Sequence, residues 1–236
     1  MSILKTYWNY AKNPFYSIIF ASPLLFAYEI LIFTFNHSDI IGLRNGADVL
    51  FRQFFAIFNV YGFYVVGLVV LLALMIAYHF NFRGKKKPNF EPRFFILMTL
   101  ESILYALVMY FVVTQLGNVL MLSGNGQTTR EMIVLALGAG VYEEFIFRVI
   151  LITGFLFFLK DILKLPEALA ISLAMIGAAF IFAIFHYIGP FGEVFYLKTF
   201  ILRFGAGLFL SLLYIFRGYG ITAYTHTIYD LIMIVL

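Results

Sequence analysis

The sequence contains no cysteine, and few of its residues carry a charge. Without cysteine, disulfide bonds, thiolate metal ligands and a cysteine nucleophile are excluded. Charged residues make up only 12% of the 236 positions, whereas 63% are hydrophobic. A soluble domain of this length does not tolerate that balance, so the sequence predicts an integral membrane protein. The net charge of +4 is too small to indicate nucleic-acid binding.

The alternation of apolar and polar positions that marks a membrane β-barrel is also lacking. The apolar segments are apolar on every side, which predicts an all-α, polytopic membrane bundle of about seven transmembrane helices. Residues 47–58 have the pattern of an amphipathic helix at the interface, and an eighth span hidden in residues 40–58 would change the parity. The predicted spans are residues 15–35, 60–80, 94–116, 131–159, 167–187, 199–216 and 221–236.

Lysine and arginine are distributed unevenly between the two predicted sides of the membrane. Ten lie on the side of the basic loop, namely Lys5, Lys12, Arg83, Lys85, Lys86, Lys87, Arg93, Lys160, Lys164 and Arg217. Five lie on the opposite side, namely Arg44, Arg52, Arg130, Lys198 and Arg203. Since positive loops stay in the cytoplasm, this count predicts a cytoplasmic N-terminus and an external C-terminus.

One predicted span carries three ionisable side chains, those of Glu143, Glu144 and Arg148. Each such group costs roughly 2.5–3.5 kcal/mol at the centre of a bilayer helix, so three together require a reason. Positions four apart share a helix face, so Glu144 can pair with Arg148. Glu143 points about 100° away and has no partner in its own segment. The pattern predicts one neutralised carboxylate and one that is free for chemistry.

Two later spans carry the other candidate residues: His186, His226 and Asp230. His226 and Asp230 are four positions apart and so share a face. Alone, a histidine near a helix end is usually structural, and we interpret Glu29 in the first span as a helix-packing or snorkelling residue. Polar groups on several spans must nevertheless face a shared interior, because exposure to lipid is costly. The combination predicts an acid–base constellation inside an intramembrane cavity.

Three chemistries fit these residue types. Glu143 could be a general base for a water held by His186, with His226 and Asp230 placed where an oxyanion forms. Alternatively, Glu143, His186 and His226 could bind zinc, although the HExxH spacing of soluble zinc proteases is absent. The same residues could also form a proton relay in a transporter. A covalent acyl-enzyme is disfavoured, because no serine, threonine or lysine in the spans obviously partners a base.

The ordered motifs Glu-Glu-x-x-x-Arg, Phe-x-x-x-His and His-x-x-x-Asp resemble those of the CPBP family, which comprises intramembrane CAAX prenyl proteases of type 2 and bacterial Abi relatives. The resemblance covers about residues 131–236. It implies that Glu143 is the catalytic base with His186 beside it, and that His226 and Asp230 serve the oxyanion. The residues implied to support them are Glu144, Arg148 and Phe182. Asp230 stands where the best-studied prenyl proteases have Asn, so we expect it to be protonated or to orient His226.

The sequence therefore predicts an intramembrane endopeptidase that cleaves a membrane-associated peptide or protein, with a lipidated, CAAX-like end as one option. We expect N-terminal transmembrane helices and an amphipathic connecting segment in residues 1–130 and a catalytic core in residues 131–236, joined in one integrated domain. No cofactor is expected, and zinc is the alternative. The expected location is a bacterial cytoplasmic membrane, with lipid and a peptide or protein as partners. The rival hypotheses are a non-catalytic bacteriocin-immunity or scaffold protein and a proton-coupled transporter.

One expectation conflicts with this reading. At ~1.5 Å per residue, His186 should lie near the outer end of its span and His226 near the inner end of its own. Both rings could then not reach Glu143 unless the spans tilt, His186 sits deeper than the pattern indicates, or the predicted span boundaries are wrong.

Overall fold

A computed structural model describes residues 3–34, 44–59, 64–82, 89–115, 128–189 and 192–236. This part of the chain is helical and contains no strand, which confirms the predicted all-α class. The helices are α1 (Ile3–Lys12), α2 (Pro14–Thr34), α3 (Gly46–Ala56), α4 (Tyr64–Phe82), α5 (Pro92–Gln115), α6 (beginning with Thr129–Gly138), α7 (Glu167–Phe185), α8 (Leu197–Arg217) and α9 (Tyr219–Val235).

Helix α6 is long and irregular. It begins with a capping box, in which Thr128 Oγ1 accepts from the backbone N–H of Glu131 and the Glu131 carboxylate accepts from the backbone N–H of Thr128. Beyond Gly138 it continues to residue 162 with π-helical turns at Ala139–Glu143, Phe145–Ile152 and Phe157–Ile162 and an α-helical turn at Thr153–Leu156. Such widened turns are frequent at functional sites, and the first one carries Glu143.

Within the described ranges, four helices are long and apolar enough to cross a membrane: Pro14–Thr34, Pro92–Gln115, Glu167–Phe185 and Leu197–Arg217. The chain is thus a membrane protein with several apolar helices. The other three predicted spans correspond to α4, to α6 and to α9, so the count of seven stays a prediction. Helix α3 has only 11 residues, fewer than the roughly 20 that a span needs. Residues 40–43 of the hypothetical eighth span lie outside the described ranges.

Helix α9 lies in the interior of the bundle, where it contacts α2, α5, α6 and α8. Two glycines allow close approach to it. A Cβ on Gly140 would lie 2.6 Å from the Ala223 carbonyl oxygen, and a Cβ on Gly220 would lie 2.6 Å from the Ser17 carbonyl oxygen. The backbone N–H of Gly220 also donates to Ser17 Oγ at 2.6 Å. These contacts hold α9 between the N-terminal helices and α6 and place His226 in the interior.

Candidate active site

The four predicted catalytic residues line one cavity of about 270 Å³. Glu143 comes from α6, His186 follows the last turn of α7, and His226 and Asp230 come from α9. The arrangement brings together residues from three separate predicted spans. Apolar side chains complete much of the wall, and the polar lining residues that the sequence did not single out are Asn45, Glu193, Arg203 and Tyr229.

Glu143 is buried, with 6% of its surface exposed. Its Oε1 accepts a hydrogen bond from Asn45 Nδ2 at 2.9 Å. The carboxylate also interacts electrostatically with the rings of His186 and His226. The hydrogen-bond partner of Glu143 thus comes from a distant part of the chain, which agrees with the separation of this residue from the Glu144–Arg148 face.

Asn45 is oriented by the start of α3, for which it is the N-cap residue. Its Oδ1 accepts from the backbone N–H of Ala47 at 2.8 Å, so its amide nitrogen is the atom that faces Glu143. Its backbone N–H donates to the Tyr28 hydroxyl at 3.2 Å. A Cβ on Gly138 would lie 2.8 Å from the Cβ of Asn45, so the lack of a side chain at Gly138 lets Asn45 approach α6.

The sequence carried a weak signal for Asn45, namely an asparagine directly before the amphipathic helix, which is an N-cap pattern. Nothing in the sequence indicates that this cap docks on α6.

Glu144 and Arg148 form the predicted pair, with 3.0 Å between Arg148 Nη1 and Glu144 Oε1, and both side chains are fully buried. The same Glu144 oxygen lies 2.7 Å from His226 Nδ1. Because a carboxylate can only accept, His226 Nδ1 carries the proton in this bond, and Nε2 is left to face the cavity. Glu144 therefore connects the guanidinium to the imidazole in addition to neutralising Arg148.

Asp230 lies on the opposite side of the His226 ring, with 3.6 Å between Asp230 Oδ2 and His226 Nε2. The shared face predicted from the four-residue spacing is thus present. The His226 ring lies between two carboxylates, Glu144 at Nδ1 and Asp230 near Nε2.

Phe182 is the side chain around which the other motif residues pack. The guanidinium carbon of Arg148 lies 4.4 Å from the centre of its ring, a cation–π contact. The rings of His186 and His226 approach it edge-on, at centroid distances of 4.9 Å and 6.1 Å. Phe182 therefore fixes the relative positions of both imidazoles.

His186 caps the C-terminal end of α7, and its ring turns back over the last turn, because Nδ1 lies 2.9 Å from the Phe182 carbonyl oxygen. His226 lies seven residues into α9, about 10 Å from its start. Both rings nevertheless line one cavity with Glu143, so the predicted conflict does not arise. His186 points inward from the end of α7, and His226 reaches the same cavity from the middle of α9.

A network of buried charges, here called the Asp48 network, packs behind Asn45. Arg44 Nη1 and Arg52 Nε each lie 2.6 Å from the Asp48 carboxylate. Arg52 Nη2 and the Tyr142 hydroxyl each donate to Glu29 Oε1 at 2.6 Å. Glu29 is thus buried and ion-paired, and the snorkelling interpretation of this residue was wrong.

The zinc alternative requires Glu143, His186 and His226 to share one metal ion, and it stays a hypothesis. Among the described residues, no three His, Asp or Glu side chains are grouped in a way that could hold one. Glu143, His186 and His226 line the same cavity. Nδ1 of His186 faces a carbonyl oxygen and Nδ1 of His226 faces Glu144, so Nε2 is the atom of each ring that could reach a metal ion.

Comparison with known proteins supports the motif interpretation for the C-terminal part of the chain. Residues 125–232 match a family model described as type II CAAX prenyl endopeptidase, Rce1-like. Neither the curated proteins nor the solved structures yielded a match to this chain. The matched residues contain all four cavity residues taken from the motifs, together with Glu144, Arg148 and Phe182. Residues 125–232, here called the family domain, are therefore similar to the Rce1-like type II CAAX prenyl endopeptidases, a family of membrane proteases.

Proposed function

We propose that this chain is an intramembrane endopeptidase in which Glu143 activates a water molecule to attack a peptide carbonyl. The observation that carries the proposal is the meeting of Glu143, His186 and His226 around one cavity in an otherwise apolar bundle. Polar groups gathered inside a membrane protein mark a functional site by default, and one carboxylate with two imidazoles is suited to acid–base chemistry.

In the proposed reaction, Glu143 takes a proton from water as the water oxygen bonds to the carbonyl carbon, which gives a tetrahedral oxyanion. Glu143 then gives this proton to the departing amide nitrogen as the carbon–nitrogen bond breaks. The products are a new carboxyl end and a new amino end. Asn45, which donates to Oε1, fixes the orientation of the carboxylate and leaves Oε2 for the water. His186 lines the same cavity and holds the water.

His226 is the proposed oxyanion donor. Its Nδ1 proton is held by Glu144, so Nε2 is the atom that can reach a substrate in the cavity. When the ring is doubly protonated, Nε2–H donates to the developing negative charge. Glu144 and Asp230 stabilise the charged ring from its two sides. Asp230 thus acts by orienting His226, and Arg148 acts by holding Glu144.

The proposed substrate is a membrane-associated peptide or protein, with a lipidated, CAAX-like end as one form. The cavity lies within a bundle that contains several apolar helices, so a substrate reaches it from the lipid or from the membrane surface. We further propose a bacterial cytoplasmic membrane with the N-terminus in the cytoplasm and seven spans. The positive-inside count supports this topology.

Comparative membrane proteomics tests the proposal and identifies substrates. Membranes from cells that express the wild type are compared with membranes from cells that express Glu143→Gln, which keeps the oxygen that accepts from Asn45 but removes the base. Uncleaved precursors should accumulate with the variant. The control Glu167→Gln changes an exposed carboxylate paired with Lys160 and should behave as wild type.

The rival functions predict different results. A toxin-protection phenotype that survives Glu143→Gln at full strength would indicate a binding protein. Flux in proteoliposomes that follows a pH gradient, without any cleavage, would indicate a transporter. Treatment of the purified protein with a chelator should leave cleavage intact. Loss of cleavage that zinc restores would replace the glutamate mechanism with a zinc-bound water.

A further inference from the structure

Arg203, near the start of α8, lines the same cavity as Glu143 and His186 but belongs to none of the three motifs. Its side chain is 10% exposed. Its Nη2 lies 2.5 Å from Glu193 Oε1, and its guanidinium carbon lies 5.3 Å from the centre of the Tyr187 ring. Its Nη1 is buried, and no described residue accepts a hydrogen bond from it. One arm of this guanidinium is therefore paired, and the other is enclosed without an acceptor among the described residues.

A buried donor without an acceptor is uncommon, because the lost hydration is not replaced. Because Arg203 lines the cavity, a small shift of its side chain would let a ligand there supply the acceptor that Nη1 lacks. Arg203 also lies close enough to the ring of His186 to interact with it electrostatically. An anionic group held by Arg203 would consequently be near the residue proposed to hold the attacking water.

The existing partner of Arg203 shows which anion fits. Glu193 presents a carboxylate to the guanidinium while 53% of its own side chain is exposed. It lies in the connection between α7 and α8, where its backbone N–H donates to the carbonyl oxygen of His186 at 3.0 Å. A half-exposed side chain of this kind can rotate into solvent at low cost. The planar fork of an arginine then accepts a second carboxylate in the same geometry.

We propose that Arg203 is a substrate-binding residue that takes a carboxylate of the peptide substrate, in place of or beside Glu193. The proposal rests on the protease function proposed above. The carboxylate is either the C-terminal carboxylate of the substrate or an Asp or Glu side chain near the scissile bond. The cavity of about 270 Å³ lies below the range of roughly 300–1,000 Å³ typical of ligand pockets. The carboxylate therefore belongs to a residue only a few positions from the cleaved bond.

The test uses a pool of lipidated fluorogenic peptides with randomised C-terminal residues, prepared with a free C-terminal acid or with a C-terminal amide. The amide pool is divided into peptides that contain Asp or Glu and peptides that contain neither. Cleavage is measured with the purified full-length protein as wild type, Arg203→Gln, Arg203→Lys, Glu193→Gln and the exposed control Glu167→Gln. Thermal unfolding of each variant shows whether it is folded.

Wild type should cleave one carboxylate-bearing pool with a kcat/KM about tenfold above the pool without a carboxylate, mainly through KM. A preference for the free acid identifies the C-terminal carboxylate, and a preference for the acidic amides identifies a side chain. Arg203→Gln should reduce the ratio of kcat/KM between the preferred pool and the pool without a carboxylate to about one. Arg203→Lys should retain part of this preference. Glu193→Gln should lower KM for the preferred pool, because it removes the internal competitor. Glu167→Gln should keep the full preference.

Binding gives a readout that does not depend on cleavage. The same pools are titrated, by fluorescence anisotropy, against Glu143→Gln and against Glu143→Gln combined with Arg203→Gln. The proposal is supported if the carboxylate pool binds the double variant more weakly than it binds Glu143→Gln, while the pool without a carboxylate binds both variants equally. Equal binding of all pools to Glu143→Gln, or a preference that survives in a folded Arg203→Gln protein, overturns it. Undiminished cleavage by Glu143→Gln would overturn the proposed glutamate mechanism and leave the assignment of Arg203 to the binding result.

Discussion

The two buried charge clusters of this molecule are built differently. Glu144, Arg148 and His226 lie within the family domain, and the central ion pair joins positions four apart on one helix. The Asp48 network joins α2, α3 and α6 through Glu29, Asp48 and Tyr142. The first cluster includes His226, the proposed oxyanion donor. The second adjoins the cavity through Asn45, which caps α3 and donates to Glu143.

The residues proposed to react and the residue that orients Glu143 come from different parts of the chain. The residues proposed to react are contributed by α6, by the end of α7 and by α9, all within residues 125–232. The carboxylate of Glu143 is nevertheless oriented by a residue from the N-terminal part of the chain. A residue outside the family domain therefore takes part in the candidate site, and the single integrated domain stays a prediction.

The largest difference in unfolding free energy between the two clusters should appear when one arginine of each is replaced. Arg148→Met leaves the buried Glu144 without its cation, and we expect a loss of about 3–5 kcal/mol in unfolding free energy, together with the loss of cleavage. Arg52→Met should cost less, because Arg44 still pairs with Asp48 and the two arginine side chains are 15% and 18% exposed. Thermal unfolding in detergent micelles measures both. Equal losses would show that the two clusters are energetically alike.

Features of the site that depend on local helix geometry could be predicted from the sequence, whereas contacts between distant segments could not. Apolar runs and four-residue spacings depend on local helix geometry, so the helices, the Glu144–Arg148 pair and the shared face of His226 and Asp230 were predictable. The inward turn of His186 depends on a carbonyl at the end of its own helix, which a span boundary does not reveal. The π-helical turns of α6 and the docking of Asn45 depend on packing between distant segments, and no single-sequence pattern encodes them.

Substitutions of Asn45 test whether the N-terminal part of the chain contributes to catalysis or only to stability. Asn45→Asp keeps a good N-cap for α3 but replaces the amide donor beside Glu143 with a second carboxylate. We expect kcat to fall about a hundredfold, because the carboxylate loses its orienting bond, and the two adjacent buried carboxyl groups should also lower thermal stability. Asn45→Ala, which removes both cap and donor, should lower kcat and stability together.

Kinetics on the peptide pool and melting curves distinguish the two effects. If Asn45→Asp is as active as wild type, the hydrogen bond to Glu143 is structural, and the chemistry depends on the family domain alone. If it is inactive because it is already unfolded at the assay temperature, Asn45 acts mainly by docking α3.

The smallest expected effects concern two glycines of α6, Gly140 and Gly154. They compare a position of α6 that packs against α9 with one that does not. A Cβ on Gly140 would lie 1.9 Å from Thr227 Oγ1 and 2.6 Å from the Ala223 carbonyl oxygen, so α6 and α9 would have to separate. Gly140→Ala should lower unfolding free energy by about 1–3 kcal/mol and reduce cleavage, since Thr227 adjoins His226. A Cβ on Gly154 meets nothing within 4 Å, so Gly154→Ala should be neutral or stabilising by up to about 1 kcal/mol.

Melting curves of the two variants decide whether α6 and α9 must be in tight contact near Glu144 and His226. Equal tolerance of both alanines would mean that α9 can move away from α6 without loss, and the distance between Glu144 and His226 would then not be fixed by this contact.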